Sequence, residues 1–384
     1  MRNRRFVVTS VVRKADPGQT SGLVRVMDLG GRQVLGTTAI PESTYRHLDG
    51  NPRGGLRGAR GVSSWGDRVV VANTERLLVL DSSWEMVDEF THPWMGGVHD
   101  ILAGEDGIWV TCTAADLLLK LSWSGEVLFH WEWRRDAGLR KKFGFRGLSP
   151  FRRDLDYRNP EVARESLGNT IHLNAVGRSS DSLLLSFGRV LSPAVYWKRR
   201  ATGTLLALAG KVGIKERVRP TRGPGEAEPR PGPAVSEIRG SSFALVRLWG
   251  DGRTEVLERA EDTRVPNHNV LDVGGWIVFN DTNAGQIVGI PPDGSKRRVV
   301  SIPGDSGFVR GLEHLGGMEF LVGSKEPLAV YHVDLASNRV LSSLELEGAA
   351  NESVYGISSV PDSFHWPAAS PASIWNSLPG NGSR

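Results

Sequence analysis

The chain has 384 residues, 39% of them hydrophobic and 23% charged, enough for one large β domain or two ordinary ones. Its single cysteine, Cys112, excludes an intramolecular disulfide and gives no support to a zinc–thiolate centre. The formal charge of +4 is segregated: residues 134–164 and 198–239 each hold ten Lys or Arg against four Asp or Glu, so two stretches of +6 leave −8 for the remainder. Most of this basicity reads as solvated loop, and the sharper reading is an electropositive rim that attracts an anionic substrate. Nucleic-acid binding more often places its charge on one face or a recognition helix, so no nucleic-acid partner is expected.

At the start, MRNRRFVVTSVVRK sets basic residues before the apolar run FVVTSVV. That run is short, contains Thr and Ser, ends in Arg and Lys, and offers no small-residue cleavage site, so it reads as a strand rather than a signal peptide. No stretch approaches a membrane span, and a cytoplasmic protein is expected. RRFVVTSVVR, GLVRVMDLG and RQVLGTTAI then read as three strands that lack a first partner. From residue 60 a unit repeats: RGVSSWGDRVVVANTERLLVLD (60–81), then VHDILAGEDGIWVTCTAADLLLKLS (98–122) continuing to GEVLFHWEW. Each reads as strand, Gly-containing turn, strand, polar turn, strand, with a fourth strand after a second turn.

A basic insertion at about 134–167 follows, in which PEVARESLG suits a short helix with Pro160 at its first position and Gly168 past its end. Such an insertion suits a partly helical cap over a channel mouth. IHLNAVGRSSDSLLLSFGRV (171–190) opens another unit, interrupted at about 199–240 by a Pro/Gly/Arg-rich stretch and resumed at SFALVRLWGDGRTEVLER. NHNVLDVGGWIVFNDTNAGQIVGI (267–290) and RGLEHLGGMEFLVGSKEPLAVYHV (310–333) are two further copies, and VYGISSV (354–360) is a first strand without followers. Four short strands at a period near 40 residues define a β-propeller blade. The complementary ends make a sixth blade, which predicts an all-β, six-bladed propeller over residues 1–364 closed by strands from both termini, with 365–384 as a flexible tail.

Aligning the first strands superimposes Gly61, His99, His172, His268, Gly311 and Gly356. First strands line the central channel, so three consecutive blades each offer a histidine while glycines on the other three leave room for a ligand. The preceding positions include Arg60, Arg310 and Tyr355, and with Asn174 and Asn269 these are the candidate substrate-binding residues. Second strands end near the same rim at Asn73, Thr111, Arg189, Asn280 and Ser324, where a guanidinium can clamp an oxyanion. A neutral imidazole is a competent nucleophile near neutral pH, and neighbouring donors stabilise charge on a transferring group.

Three channel histidines in chain order, with an arginine one strand-pair after the second, resemble the bacterial aryl-sulfate sulfotransferases. The residues that carry the resemblance are GVHDI (97–101), IHLNAV with SFGR (171–176 and 186–189), and NHNV with FNDTNAG (267–270 and 279–285). The resemblance implies sulfuryl transfer between phenolic molecules without a cofactor, through a sulfohistidine on His268. His99, His172 and Arg189 would hold the sulfuryl oxygens and serve proton transfer. The alternative is a metal-dependent lyase, hydrolase or oxygenase in which His99, His172 and His268 hold Zn²⁺, Fe²⁺ or Cu²⁺. Asp100, Asn174, Asn269 and Glu313 would then be acceptors for the ring N–H groups. Arginines facing the histidines would favour an oxyanion over a metal. A non-enzymatic propeller binding an anionic ligand is the third reading. A serine hydrolase and a nucleotide-binding enzyme are disfavoured, because neither G-x-S-x-G nor a phosphate-binding glycine loop stands between a strand and a helix.

Overall fold

A computed structural model describes residues 5–16, 18–48, 56–166, 168–211, 241–261, 266–304, 308–361 and 363–364. Twenty-four strands form six four-stranded antiparallel sheets, and the chain is a six-bladed β-propeller. Five blades run in simple order from the axis outward. They begin at Val62–Trp65, Val98–Gly104, Leu173–Ser179, His268–Val273 and Val309–Gly316, and we call them blades 1 to 5. The sixth joins the two ends: Glu352–Ser359 pairs with Arg5–Val12, which is followed by Gly22–Asp28 and Gln33–Ala39. The FVVTSVV run is thus the second strand of the closing blade.

Alternating apolar residues make each sheet two-faced, and neighbouring sheets bury those faces against each other. The described residues hold six apolar clusters, one per blade junction. Phe6, Val8, Met27 and Val354 of the closing blade meet Leu321 and Val330 of blade 5, while Val7, Val24 and Val26 meet Val69, Val71 and Leu78 of blade 1. Phe364 belongs to that second cluster, its ring 5.1 Å from Trp84, and Arg5 Nη1 donates to its carbonyl at 2.8 Å.

The insertion after blade 2 carries the helices Ala137–Lys142 and Pro160–Glu165. Pro160 opens the second of these, capped by Asn159. The insertion is not wholly solvated. Leu139, Phe143, Phe145 and Leu148 join the core between blades 2 and 3, and Arg134 is buried with its guanidinium on the Gly168 carbonyl. The interruption of blade 3 starts as the helix Pro193–Lys211, and the chain returns at Ser242–Trp249. The rest of that stretch and the tail at 365–384 lie outside the described residues.

The ring is latched by a buried ion pair. Arg25 Nη1 of the closing blade donates to Glu352 Oε1 at 2.6 Å, Arg25 Nη2 to the Glu347 carbonyl at 2.8 Å, and Ser10 Oγ to the same Glu352 oxygen. Neither charge reaches solvent to any extent, so removing one partner strands the other. We expect Glu352→Ala to cost about 3–5 kcal/mol in urea unfolding, and more than Glu352→Gln, which keeps an acceptor for Arg25. Equal, small losses in both variants would show that the latch is dispensable.

Candidate functional site

His99 and His268 sit on the innermost strands of blades 2 and 4, His172 immediately precedes that of blade 3, and the three converge. One ligand atom from each lies within 4.8 Å of the others. The His99 ring centroid is 4.9 Å from that of His172 and 6.3 Å from that of His268, and the last two are 6.4 Å apart. They do not occupy one backbone position. His99 and His268 stand five residues before the paired ends of their strands at Gly104 and Val273, whereas His172 stands seven before Ser179, just outside its strand. The residue five before Ser179 is Asn174. His172 reaches the site because it adopts φ +50°, a conformation that costs a side-chain-bearing residue energy.

β-bulges do the rest. The inner strands lose register between Val98 and Ile101, Leu173 and Ala175, His268 and Val270, and Arg310 and Leu312, and the closing strand does so at Tyr355. A bulge puts an extra residue on one strand and re-aims its side chains, which is why so many polar groups face one point. The glycines at the aligned positions serve blade contact rather than ligand space. A Cβ on Gly61 would lie 2.9 Å from Asp100 Cα, and one on Gly356 would lie 2.9 Å from the Arg60 carbonyl oxygen.

Each imidazole has its Nδ1 engaged by protein. His99 Nδ1 donates to the Gly97 carbonyl at 2.7 Å, His172 Nδ1 meets Asn169 Oδ1 at 3.1 Å, and His268 Nδ1 meets Thr282 Oγ1 at 2.8 Å. These partners fix ring orientation and direct Nε2 inward. The acceptors expected from sequence are used otherwise. Asp100 accepts from the Ile101 and Val176 amides, with burial raising its pKa to about 7, and Glu313 accepts from the Ser359 amide. Asn269 Oδ1 accepts from Asn280 and from the Gly311 amide, and Asn174 donates to the Asn267 carbonyl, so both asparagines bridge adjacent blades. Among the rim residues, Thr111 and Ser324 bond to backbone carbonyls.

His268 is buried, and its Nε2 has no hydrogen-bond partner among the described residues. His99 Nε2 lies 3.3 Å from Arg60 Nη1, which also donates to Tyr355 Oη at 3.0 Å. Arg310 stacks on the Tyr355 ring, 4.2 Å from its centroid. It is buried, with no carboxylate in ion-pair range among the described residues, and burial pushes its pKa down to about 9. It is still charged at neutral pH.

Enclosure by protein is the main reason all three imidazoles have pKa values well below 6.5. Arginines add to it: Arg60 and Arg310 at His99, Arg189 and Arg310 at His172, Arg310 and Arg13 at His268. The structure therefore gathers His99, His172, His268, Arg60, Arg310 and Tyr355 around one point, with Arg189 among the charges that lower the His172 pKa. Sequence reasoning missed Asn169, Thr282 and Arg13. Asn169 and Thr282 lie outside the repeated strands, and Arg13 stands just past the first strand, so none had a repeat position to mark it.

No family model matches the chain, that of the aryl-sulfate sulfotransferases included, and no curated protein sequence matches it. Solved structures similar to it include the nidogen/laminin complex (TM-score 0.52, 8% identity, 94% of this chain and 100% of that chain covered). A protein of unknown function from Bacteroides caccae gives a TM-score of 0.51 at 9% identity, over 94% of this chain and 100% of that one. Virginiamycin B lyase from Staphylococcus aureus gives 0.44 at 10% identity, over 90% of each chain. At these identities the likeness concerns the fold alone.

The imidazoles make a testable contribution to stability. The unfolded chain protonates them as pH falls through about 6.5, while the folded site keeps them neutral, so stability is full above that pH and is lost progressively below it. Between about pH 7 and about pH 5 a variant with all three changed to Gln should lose less of its thermal midpoint than the unaltered protein. Parallel curves would mean that the rings titrate as in the unfolded chain.

Proposed function

We propose that this propeller is a transferase that moves a sulfuryl group between phenolic molecules through His268. The observation that carries the reading is charge without counter-charge. Arg310 is buried against the Tyr355 ring with no carboxylate in ion-pair range among the described residues, and Arg60 Nη1 lies 3.3 Å from His99 Nε2. A desolvated guanidinium is costly unless an anion meets it, and a bound sulfate ester supplies that anion.

With Nδ1–H donated to Thr282, His268 Nε2 carries the lone pair. It attacks sulfur, the N–S bond forms, and the S–O bond breaks with its electron pair leaving on the donor's phenolic oxygen, which takes up a proton. The acceptor phenol then attacks sulfur, its O–H proton departs, and the N–S pair returns to Nε2. Charge spread over the sulfuryl oxygens is met by Arg310, Arg60 and Arg189, a preorganised set of donors that needs no reorientation during reaction. His99 and His172 stand as neutral neighbours on the same group.

The second reading is a divalent ion, Zn²⁺, Fe²⁺ or Cu²⁺, on the three imidazoles, and the 4.8 Å convergence of their ligand atoms favours it. Set against it is the guanidinium of Arg60, 3.3 Å from the nitrogen that His99 would offer, which repels a cation. A non-catalytic propeller would share the anion affinity and lack turnover.

Purified, tag-free protein should be free of stoichiometric metal and should transfer sulfuryl from 4-nitrophenyl sulfate to a phenol. Arg310→Ala should lower that turnover roughly 100-fold or more, the usual loss for one oxyanion donor, and His268→Ala should abolish it. One ion per chain, lost in His172→Ala, would establish the metal site instead. Sulfate-ester binding without turnover in metal-free protein would leave only a binding function.

A further inference from the structure

We infer that Tyr355 is the proton carrier of this reaction, giving its phenolic proton to the leaving oxygen and recovering it from the acceptor. The inference rests on the sulfuryl-transfer reading and adds a residue to it. Tyr355 stands on the innermost strand of the closing blade, buried, where the register shift against Arg5–Val12 turns its side chain into the histidine cluster. Its ring centroid is 5.9 Å from that of His99 and 6.5 Å from that of His268. The environment of its oxygen is unusual for a buried phenol. The hydrogen bond to Oη comes from Arg60 Nη1 at 3.0 Å, and Arg310 lies over the ring face.

A guanidinium donates and never accepts, so neither arginine can take the Tyr355 proton. Among the described residues no acceptor meets that O–H, although buried hydroxyls ordinarily find one. The missing acceptor is supplied by a substrate oxygen held by the same arginines beside His268.

The proton account then closes. As Nε2 of His268 attacks sulfur and the S–O bond breaks, Tyr355 Oη–H protonates the departing oxygen, and the donor leaves as a neutral phenol. The phenolate that remains on Tyr355 is held by Arg60 and Arg310. When the acceptor phenol attacks the sulfur on His268, its proton passes to Tyr355 Oη, and the electron pair of the N–S bond returns to Nε2. The tyrosine ends as it began, and no external acid or base is consumed.

The test varies the leaving group. A nitrophenoxide departs readily without a proton, whereas an unsubstituted phenoxide is a stronger base and needs one. In Tyr355→Phe the ratio of first-step rates between 4-nitrophenyl sulfate and phenyl sulfate should widen roughly 100-fold, the lower end of what a general acid contributes. An unchanged ratio, with both rates lowered equally, would overturn the proton role and leave Tyr355 a packing residue, with the sulfuryl reading intact. In the unaltered protein, phenyl sulfate cleavage should show a normal solvent deuterium isotope effect that 4-nitrophenyl sulfate cleavage lacks. Its absence would overturn the role without reliance on any variant. Should the unaltered protein cleave neither ester, the sulfuryl reading fails and the inference falls with it.

Discussion

Everything in this molecule depends on how closely neighbouring blades approach at the axis. Burial of apolar faces at six junctions pulls the sheets together, at roughly 25 cal/mol per Å² of apolar surface removed from water. Near the axis this brings inner strands into backbone contact, so that Gly61 and Gly356 are required where an added Cβ would overlap a neighbouring main chain. The same approach is what brings histidines from three separate blades within 4.8 Å. Closure by Glu352–Ser359 and Arg5–Val12 keeps the ring from opening, and it carries Tyr355 into the centre. The closing blade is therefore part of the site as well as of the scaffold.

Close approach also decides the electrostatics. Groups enclosed by protein lose their hydration, and the imidazoles respond by staying neutral. Arginine cannot respond in that way at neutral pH, so Arg310 retains its charge and takes what stabilisation it finds in the Tyr355 ring. Arg13, Phe308, Arg310 and Tyr355 alternate as cation and ring, with separations of 4.8, 5.1 and 4.2 Å. Such a ladder softens the cost of burying the Arg310 guanidinium, which has no carboxylate in ion-pair range among the described residues. The field of that guanidinium is the physical reason to prefer an anionic guest over a cation at the three histidines.

The six blades and the closing blade were legible in the sequence because each follows a period, and His99 and His268 share one counted position within it. Strand alternation and turn residues recur, and VYGISSV at one end completes RRFVVTSVVR at the other. What lay beyond reach depends on local departures from that period. Counting from the hairpin turns assigns Asn174, and not His172, to the ring, and the bulges together with the φ of +50° bring His172 in. The glycines invited a reading as open space because a sequence does not show the strand on the other side of a missing Cβ. Asn169 and Thr282 sit in connections, where partners are chosen by three-dimensional proximity.

His172 needs to be held, since an isolated residue would not stay at a positive φ. Asp116 holds it. This buried carboxylate accepts from the amides of Thr170, Ile171 and Leu173, on both sides of the histidine, and is flanked by the Arg134 guanidinium at 3.8 Å. Arg134 in turn binds the Gly168 carbonyl and Thr170 Oγ1. Asp116 belongs to the turn between the second and third strands of blade 2, and Arg134 opens the basic insertion. The insertion thus enters the site through its first arginine, which helps to fix the strained backbone from which His172 reaches the other two rings. Strain at a functional position persists only where the surroundings over-determine it, and here one carboxylate with three amide donors provides that constraint.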